Sequence, residues 1–395
     1  MQLTFLCITS FFKGEDFIIA CQQTGCKVFL LTSVKLKDKP WPNDHITETF
    51  YMQQDETDNW NMEEAIVGLA HFMQNNKVDR IVALDDFDVE KAALLREHFR
   101  SPGMGQTTAR HFRDKLAMRL KAAESSIRVP AFSSLFHNET VHDYTQHVAA
   151  PWLVKPRSEA SATGITKLHN AHDLWQHLNN DLGTERHNYL IEQFRPGDVY
   201  HVDALSLNGT VIFVRSSRYL STPFEVAHGG GIFRTRTLDP NSEDAKALAV
   251  MNQDVLQAFG LQYGASHTEF IKDRETGEFV FLETASRVGG AHIAEMVTFS
   301  SGINLWAEWA KIEVAVVRGE NYQLPEPQDY HGGLVVSLSR YKHPSYDAFT
   351  DAEICWTLQK EYHIGLIIRS ENPERVGELL NNYLHEIHQN YHTSV

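Results

Sequence analysis

The chain has 395 residues, of which 42% are hydrophobic and 22% are charged, as is usual for a globular protein with two or three domains. With 36 basic and 51 acidic residues, the formal net charge is −15. This charge argues against a nucleic-acid partner, because such partners bind basic surfaces, and any phosphate site must therefore be local.

The cysteines and the hydropathy both indicate a cytoplasmic protein. Cys7, Cys21, Cys26 and Cys355 form no CxxC or Cys/His zinc pattern, so we expect buried thiols in a reducing compartment. Residues 1–17 lack a basic segment ahead of an apolar run, and no apolar run approaches the ~20 residues of a membrane span. We therefore expect neither a signal peptide nor a membrane partner.

Residues 1–100 alternate between short apolar runs and helix-like segments. This alternation predicts a parallel, doubly wound sheet. No GxGxxG follows the first apolar run, which argues against a dinucleotide site there. The predicted strands are 3–8, 28–32 and 80–84, and the predicted helices are 16–23, 63–75 and 89–98.

The remaining chain has an α+β pattern. A breaker at 101–105 precedes a helix predicted from 107 to about 125. Residues 150–235 are rich in strands with polar alternation, which favours antiparallel sheet. Ser242 and Gly260 are expected to bound a helix. Further predicted elements are a helix at 173–180, a helix at about 301–318, a linker at 325–327, strands within 331–370 and a helix at 373–391.

Two glutamates lie on a predicted β-hairpin within 267–290. If its loop centres on Thr276, Glu269 and Glu283 lie directly opposite each other, and their charges repel unless a cation lies between them. A hard divalent ion such as Mg²⁺ takes carboxylate ligands and completes its shell with phosphate and water. A two-residue loop pairs Glu269 with Thr284 instead, and two solvated strand glutamates are the other interpretation.

Three cationic residues stand where a phosphate could bind. Lys155 ends a strand ahead of the small-residue loop 159–164, whose backbone N–H groups could approach phosphates, although a plain turn is the alternative. Arg287 follows Glu283 by four residues and suits a phosphate or a carboxylate. Lys115 opens a helix against the dipole preference, which is weak evidence for a phosphate role.

Two further segments could contact a ligand. The stretch 190–198 runs from a strand into a turn, where backbone groups can bind an adenine edge with Glu192 as an acceptor; a strand that simply leaves the sheet is the alternative. Three glycines at 229–231 predict either a mobile lid or a plain surface loop. Four arginines flank them and indicate an anionic substrate, or else solvated strand faces: Arg215, Arg218, Arg234 and Arg236.

Taken in order, four segments resemble the ATP-grasp superfamily, and within it the carboxylate–amine ligases that include L-amino-acid ligases. They are RDKLAMR at 113–119, LVKPRSEASATGI at 153–165, LIEQFRPGDVYHVD at 190–203, and HTEF with FLETASRVGGAHI between 267 and 293. Each motif is degenerate alone, but four in the correct order are specific, and the resemblance covers nearly the whole chain.

The resemblance implies a mixed α/β and α+β fold. A Rossmann-like N-terminal domain is expected at 1–105, followed by a two-lobed ATP-grasp fold and a small α+β tail. The N-lobe with its phosphate loop is expected at 106–188, the C-lobe with the metal site at 189–322, and the C-terminal subdomain at 323–395.

The resemblance also implies the roles of the site residues. Lys115 and Lys155 match phosphate-contacting lysines, Ser161 and Gly164 lie in the phosphate loop, and Glu192 and Phe194 match adenine-edge positions. Glu269 and Glu283 match the ligands of Mg²⁺ (or Mn²⁺), and Arg287 matches the arginine that contacts the transferred phosphate. Arg215 and Arg234 are predicted to bind the substrate carboxylate or the acyl-phosphate oxygens.

Two positions depart from the family pattern. Many members have Asn as a further metal ligand two residues after the second glutamate, where this chain has Ala285, so one ion is held less firmly or water substitutes. The acidic residue that contacts the ribose is replaced by Val199, and Asp198 is the candidate substitute.

The implied function is that of an ATP-dependent carboxylate–amine ligase, which forms an amide through an acyl phosphate and releases ADP and phosphate. The substrates are a small carboxylate and an amine, such as amino acids. The sequence determines neither their identity nor the oligomeric state, for which a homodimer is one candidate. The alternatives are a carboxylase-like or non-peptide ligase of the same superfamily, and a nucleotide-binding module without turnover.

Overall fold

The computed structural model describes residues 2–160, 163–222 and 230–393, which form three β-sheets with helices packed around them. No helix in these ranges combines the length and the apolar character that crossing a membrane requires.

The N-terminal unit is doubly wound, as predicted. Its parallel strands lie in the order β3-β2-β1-β4, and β1 is fully buried because helices cover both faces of the sheet. The half-buried edge strand β3 was not predicted, since its residues lack an apolar run. The elements are β1 (Thr4–Thr9), α1 (Glu15–Gln23), β2 (Lys27–Ser33), β3 (Glu48–Met52), α2 (Met62–Met73), β4 (Arg80–Ala83) and α3 (Val89–Phe99).

A small antiparallel sheet of order β5-β8-β6-β7 follows. The single helix predicted at 107–125 is wrong: two helices occur, because the Asp114 carboxylate accepts from the N–H of Leu116 and starts a second one. The elements are α4 (Gln106–Arg110), α5 (Lys115–Glu124), β5 (Phe132–Ser134), α6 (Asn138–His147), β6 (Trp152–Pro156), β7 (Thr166–Leu168), α7 (Ala171–Gln176), which continues as a π-helix (His177–Leu182), and β8 (Tyr189–Gln193).

The large sheet has eight antiparallel strands in the order β13-β12-β9-β10-β11-β14-β16-β15. Its strands are β9 (Gly197–Leu207), β10 (Thr210–Tyr219), β11 (Phe233–Thr237), β12 (Tyr263–Asp273), β13 (Phe279–Ala285), β14 (His331–Leu338), β15 (Ile354–Thr357) and β16 (His363–Ser370). Its helices are α8 (Glu243–Phe259), α9 (Ile293–Ser301), α10 (Leu305–Arg318) and α11 (Pro373–Asn390).

The helix boundaries follow their caps. Ser242 and Gly260 bound α8, as predicted. The helix predicted from 301 begins at Leu305, because the Asn304 side chain accepts from the first backbone N–H groups of α10. Helix α9 and strand β15 were not predicted. Because β14 pairs with β11, the strands of the C-terminal segment extend the large sheet.

The two faces of the large sheet have different neighbours. Residues that alternate along a strand point to opposite faces. Glu269, His201 and Ser217 are aligned across β12, β9 and β10, and we call the face of the sheet that carries them the front face. The back face carries Tyr200 and Arg218, and helices α8 and α11 pack against it.

Candidate active site

Glu269 and Glu283 are directly opposite residues of the β12–β13 pair, as predicted. Nearer the turn, Phe270 pairs with Phe281, so the register shifts by one residue at a β-bulge between these positions. The bulge aligns the two carboxylates in one row. The alternative pairing of Glu269 with Thr284 is therefore wrong, because Thr284 pairs with Thr268.

Lys115 links helix α5 to the β12–β13 hairpin. Its Nζ lies 3.0 Å from Oε2 of Glu283 and donates to the backbone carbonyl of Glu159 at 2.6 Å. Burial alone would raise the pKa of Glu283, but the charges of Lys115 and Lys155 lower it to about 2. The carboxylate is therefore ionised at neutral pH and can bind a cation.

Lys155 has a different partner, which the sequence did not reveal. Its Nζ donates to Oε1 of Glu192, while Oε2 of Glu192 accepts from Nε and Nη2 of Arg119 at 3.0 and 2.8 Å. All three side chains are buried. Burial lowers the pKa of Lys155 to about 8, against the opposing effect of Glu192.

This arrangement gives Glu192 partners that the sequence did not suggest. Its two carboxylate oxygens accept from Lys155 and Arg119, and its role at an adenine edge stays a prediction. The backbone N–H of Phe194, the second predicted adenine position, donates to the carbonyl of Pro151 at 3.0 Å. The ring of Phe194 lies 3.5 Å from Nζ of Lys167.

Arg287 reaches the N-terminal unit. Its Nε donates to Oδ2 of Asp86 at 2.8 Å, a second donor reaches the same oxygen, and Nη1 donates to the carbonyl of Val288. Burial would lower the pKa of Arg287, but the carboxylate of Asp86 raises it above its usual range. One carboxylate oxygen of Asp86, Oδ1, is buried and accepts no hydrogen bond from the part of the chain that the structure describes.

The two arginines predicted to bind substrate lie on opposite faces of the large sheet. Arg215 pairs in register with Asp203 and belongs to the front face, where its Nη2 donates to the carbonyl of Gln328 at 3.0 Å. Arg234 belongs to the back face and donates to Asn381 Oδ1 on α11 at 3.1 Å. The structure therefore does not bring Arg234 to the carboxylate pair.

Asp198, the candidate ribose contact, also lies on the back face. It pairs in register with Lys272 and accepts from Nη2 of Arg218 at 2.8 Å. Because Glu269 points to the other face, this position does not support a role in the same site.

The small-residue loop is described only in part. Ser161 lies outside the described residues. Gly164 has φ +71°, and a Cβ there would lie 2.9 Å from Cγ of Pro156, so a glycine suits this left-handed turn. The predicted glycine lid lies partly outside the described ranges, because Gly229 is not among them.

The front-face carboxylates fit a divalent cation. Glu269 Oε1 accepts from the Tyr219 hydroxyl at 2.7 Å, and Glu283 contacts Lys115, so each carboxylate has an oriented donor on one side. Two aligned carboxylates are hard oxygen ligands of the kind that Mg²⁺ prefers. Ala285, which pairs with His267, offers no ligand atom.

Several residues near this site were not singled out from the sequence. Arg119 lies one helical turn after Lys115, a spacing that places both on the same side of α5. Asp86 follows a predicted buried strand, where loop residues of parallel sheets meet. Neither pattern predicts the ion pair that the residue forms, because the partners, Glu192 of Arg119 and Arg287 of Asp86, are distant in sequence.

Comparison with known proteins supports the resemblance. No protein-family model matches the chain. The L-arginine-specific L-amino acid ligase of Bacillus subtilis is 25% identical over 284 residues, covering 70% of this chain and 66% of that protein. The matched part thus spans about two thirds of the relative's length.

Solved structures share the fold along almost the whole chain. The L-amino acid ligase of Bacillus licheniformis superimposes with a TM-score of 0.73 at 15% identity, covering 99% of this chain and 98% of that one. The N5-carboxyaminoimidazole synthetase of Staphylococcus aureus, complexed with ADP, gives 0.70 at 13% identity, covering 97% and 98%. The chain therefore has the fold of these proteins along almost its whole length, and its sequence is similar to that of an L-amino acid ligase.

Proposed function

We propose that the protein is an ATP-dependent carboxylate–amine ligase that uses amino acids as substrates. The observation that carries this proposal is the aligned pair Glu269 and Glu283, with Lys115 in contact with Glu283 and with Lys155 and Arg287 close enough to interact electrostatically with the same carboxylate. Such a site can bind the phosphates of ATP and neutralise charge during phosphoryl transfer.

The proposed reaction has two steps. An oxygen of the donor carboxylate attacks the γ-phosphorus of ATP, the bond to the β–γ bridging oxygen breaks, and ADP leaves. The acceptor amine then attacks the acyl carbon of the acyl phosphate, phosphate leaves, and the amine loses a proton as the amide forms. The protein contributes chiefly positioning and charge.

The residues divide these tasks. Glu269 and Glu283 would hold Mg²⁺, or Mn²⁺ in its place, which supplies positive charge to the phosphates when bound. Lys115 and Lys155 would contact the phosphates, and Arg287 the transferred group. Arg215 is the candidate for the donor carboxylate, because it is buried on the front face and its Nε has no hydrogen-bond partner within the described residues.

The experiment is a substrate panel with purified protein, ATP and Mg²⁺. ADP release and dipeptide mass are measured for pairs of amino acids, with L-arginine first because the related ligase from Bacillus subtilis is specific for it. ADP that requires both a carboxylate and an amine, together with an amide product, supports the proposal. ADP that depends on bicarbonate supports a carboxylase-like enzyme instead, and no substrate-dependent ADP supports a binding module.

A matched variant separates the metal site from the fold. Glu283→Gln keeps the size of the side chain and removes its charge, so it should abolish turnover while the circular dichroism spectrum stays that of the folded wild type. Wild-type rates in Glu283→Gln would contradict the assignment. The homodimer and the cytoplasmic location stay predictions from the sequence.

A further inference from the structure

A chain of buried polar side chains crosses four neighbouring strands on the front face. Asp203 on β9 accepts from, or shares a proton with, His201 Nδ1 at 2.7 Å and His267 Nδ1 at 2.9 Å. The other ring nitrogen of His201 lies 2.7 Å from the Thr235 hydroxyl on β11. Tyr219, on β10 between them, packs its ring against His201 at 4.6 Å.

These side chains are removed from water. His201, Asp203 and Thr235 are 0% exposed, and Tyr219 is 6% exposed. Buried polar groups are costly unless they are hydrogen-bonded, and a network in which each member has partners fixes the orientation of its members. The rings of His201, His267 and Tyr219 are therefore held in defined positions.

The network ends at one metal-ligand candidate. The Tyr219 hydroxyl donates to Oε1 of Glu269 at 2.7 Å, and Nε2 of His267 lies 3.6 Å from the same oxygen and 3.4 Å from the Tyr219 hydroxyl. A donor on one oxygen of a carboxylate orients the group and leaves the other oxygen for a cation. The salt-bridge partner of Glu283 is instead Lys115.

A metal ion bound by the histidines themselves is the competing interpretation. His201, Asp203 and His267 offer ligand atoms within 4.8 Å of one another. However, both Nδ1 atoms already lie at hydrogen-bond distance from separate oxygens of Asp203, and Nε2 of His201 meets Thr235. This geometry is that of a hydrogen-bonded network.

We propose that Tyr219 is a positioning residue that orients Glu269 for metal binding, and that Asp203 supports it by holding the His267 ring against the same carboxylate. The proposal rests on the proposed function, because it takes Glu269 as a ligand of the ion that accompanies ATP. Hydrogen-bond partners of metal ligands typically change metal affinity by about 10- to 100-fold.

The test is Tyr219→Phe, which removes the hydroxyl and keeps the ring. Binding of Mn²⁺ is measured by electron paramagnetic resonance in the presence of a non-hydrolysable ATP analogue, together with thermal unfolding. We expect the Kd for Mn²⁺ to rise about 10- to 100-fold while the unfolding midpoint changes little. The matched control is Tyr200→Phe, because Tyr200 lies on the back face of the neighbouring strand.

The outcomes decide the proposal in either direction. A wild-type Kd in Tyr219→Phe, or an equal rise in Tyr200→Phe, overturns it, as does a wild-type protein that binds no Mn²⁺ with the analogue. If Tyr219→Phe fails to fold, Asp203→Asn replaces it, with a weaker Kd expected and a wild-type Kd contradicting the proposal. A selective rise in a protein that joins no amino-acid pair would uphold this inference while the proposed function fails.

Discussion

Arg287 and Asp86 form a buried ion pair that joins the segment after β13 to the N-terminal unit across 201 residues of sequence. Arg287, which is expected to contact the transferred phosphate, is thereby held by an aspartate of the N-terminal unit. The position of Arg287 depends on the docking of two units.

Asp86→Asn is expected to weaken both stability and catalysis. Removing one charge of a buried pair leaves the other uncompensated, which typically costs about 3–5 kcal/mol of the free energy of unfolding. Chemical denaturation measures this loss, and kcat should fall because Arg287 loses its anchor. The control is Asp58→Asn, whose partner Lys35 is solvent-exposed, so a much smaller loss is expected. Equal losses in the two variants would contradict the account.

Arg215 and Arg234 provide a second comparison. Arg215→Met should raise the KM for the carboxylate substrate by about 10- to 100-fold, because a charged hydrogen bond is worth about 1.5–3 kcal/mol. Arg234→Met should leave that KM within about twofold, since the side chain lies on the back face and contacts α11. Steady-state kinetics with saturating ATP measure both. An unchanged KM in Arg215→Met would show that this arginine does not bind substrate.

The pKa of Lys155 predicts an alkaline limit for ATP binding. Because the pKa is lowered to about 8, the ammonium loses its proton as the pH rises through this value, and kcat/KM for ATP should fall. Lys155→Arg keeps a positive charge to higher pH, so the fall in kcat/KM for ATP should move to higher pH in this variant.

The contribution of Lys155 to the free energy of unfolding should rise over the pH range in which kcat/KM falls. Between about pH 8 and the ordinary lysine pKa of about 10.4, the unfolded state binds more protons at this residue than the folded state, so its contribution to stability rises with pH. Unfolding measured over this range therefore separates a titration of Lys155 from alkaline denaturation. A flat kcat/KM profile from pH 7 to pH 10 would contradict the assignment.

Local patterns predicted much of the fold and the β12–β13 hairpin. The strands of the hairpin follow from alternation, and the Glu269–Glu283 pairing was one of the two that the sequence allowed. The turn itself is neither of the predicted ones, because Lys272 pairs with Phe279. The bulge that completes this pairing was not predictable, because it depends on how Phe270 and Phe281 pack beneath α8. Counter-ions were also missed, since Glu192 meets Arg119 only through the docking of α5.

The sequence did not predict which arginines of β10 and β11 share a face of the sheet. The sequence shows four arginines around the glycine run but not how the connection between the strands sets the register of β11. The structure pairs Arg218 with Arg236, which places Arg234 on the same face as Arg218 and opposite to Arg215. A shift of the β11 register by one residue would have placed Arg234 on the same face as Arg215.

The most direct test of the central claim follows the oxygen atoms. A donor amino acid labelled with ¹⁸O in its carboxylate is incubated with ATP, Mg²⁺ and an acceptor amine, and the released phosphate is analysed by mass spectrometry. Because one of the two carboxylate oxygens bridges carbon and phosphorus in the acyl phosphate and leaves with the phosphate, the account predicts one ¹⁸O atom in each phosphate from the wild type and none above background from Glu283→Gln. Amide formation with unlabelled phosphate would contradict an acyl-phosphate mechanism at this site.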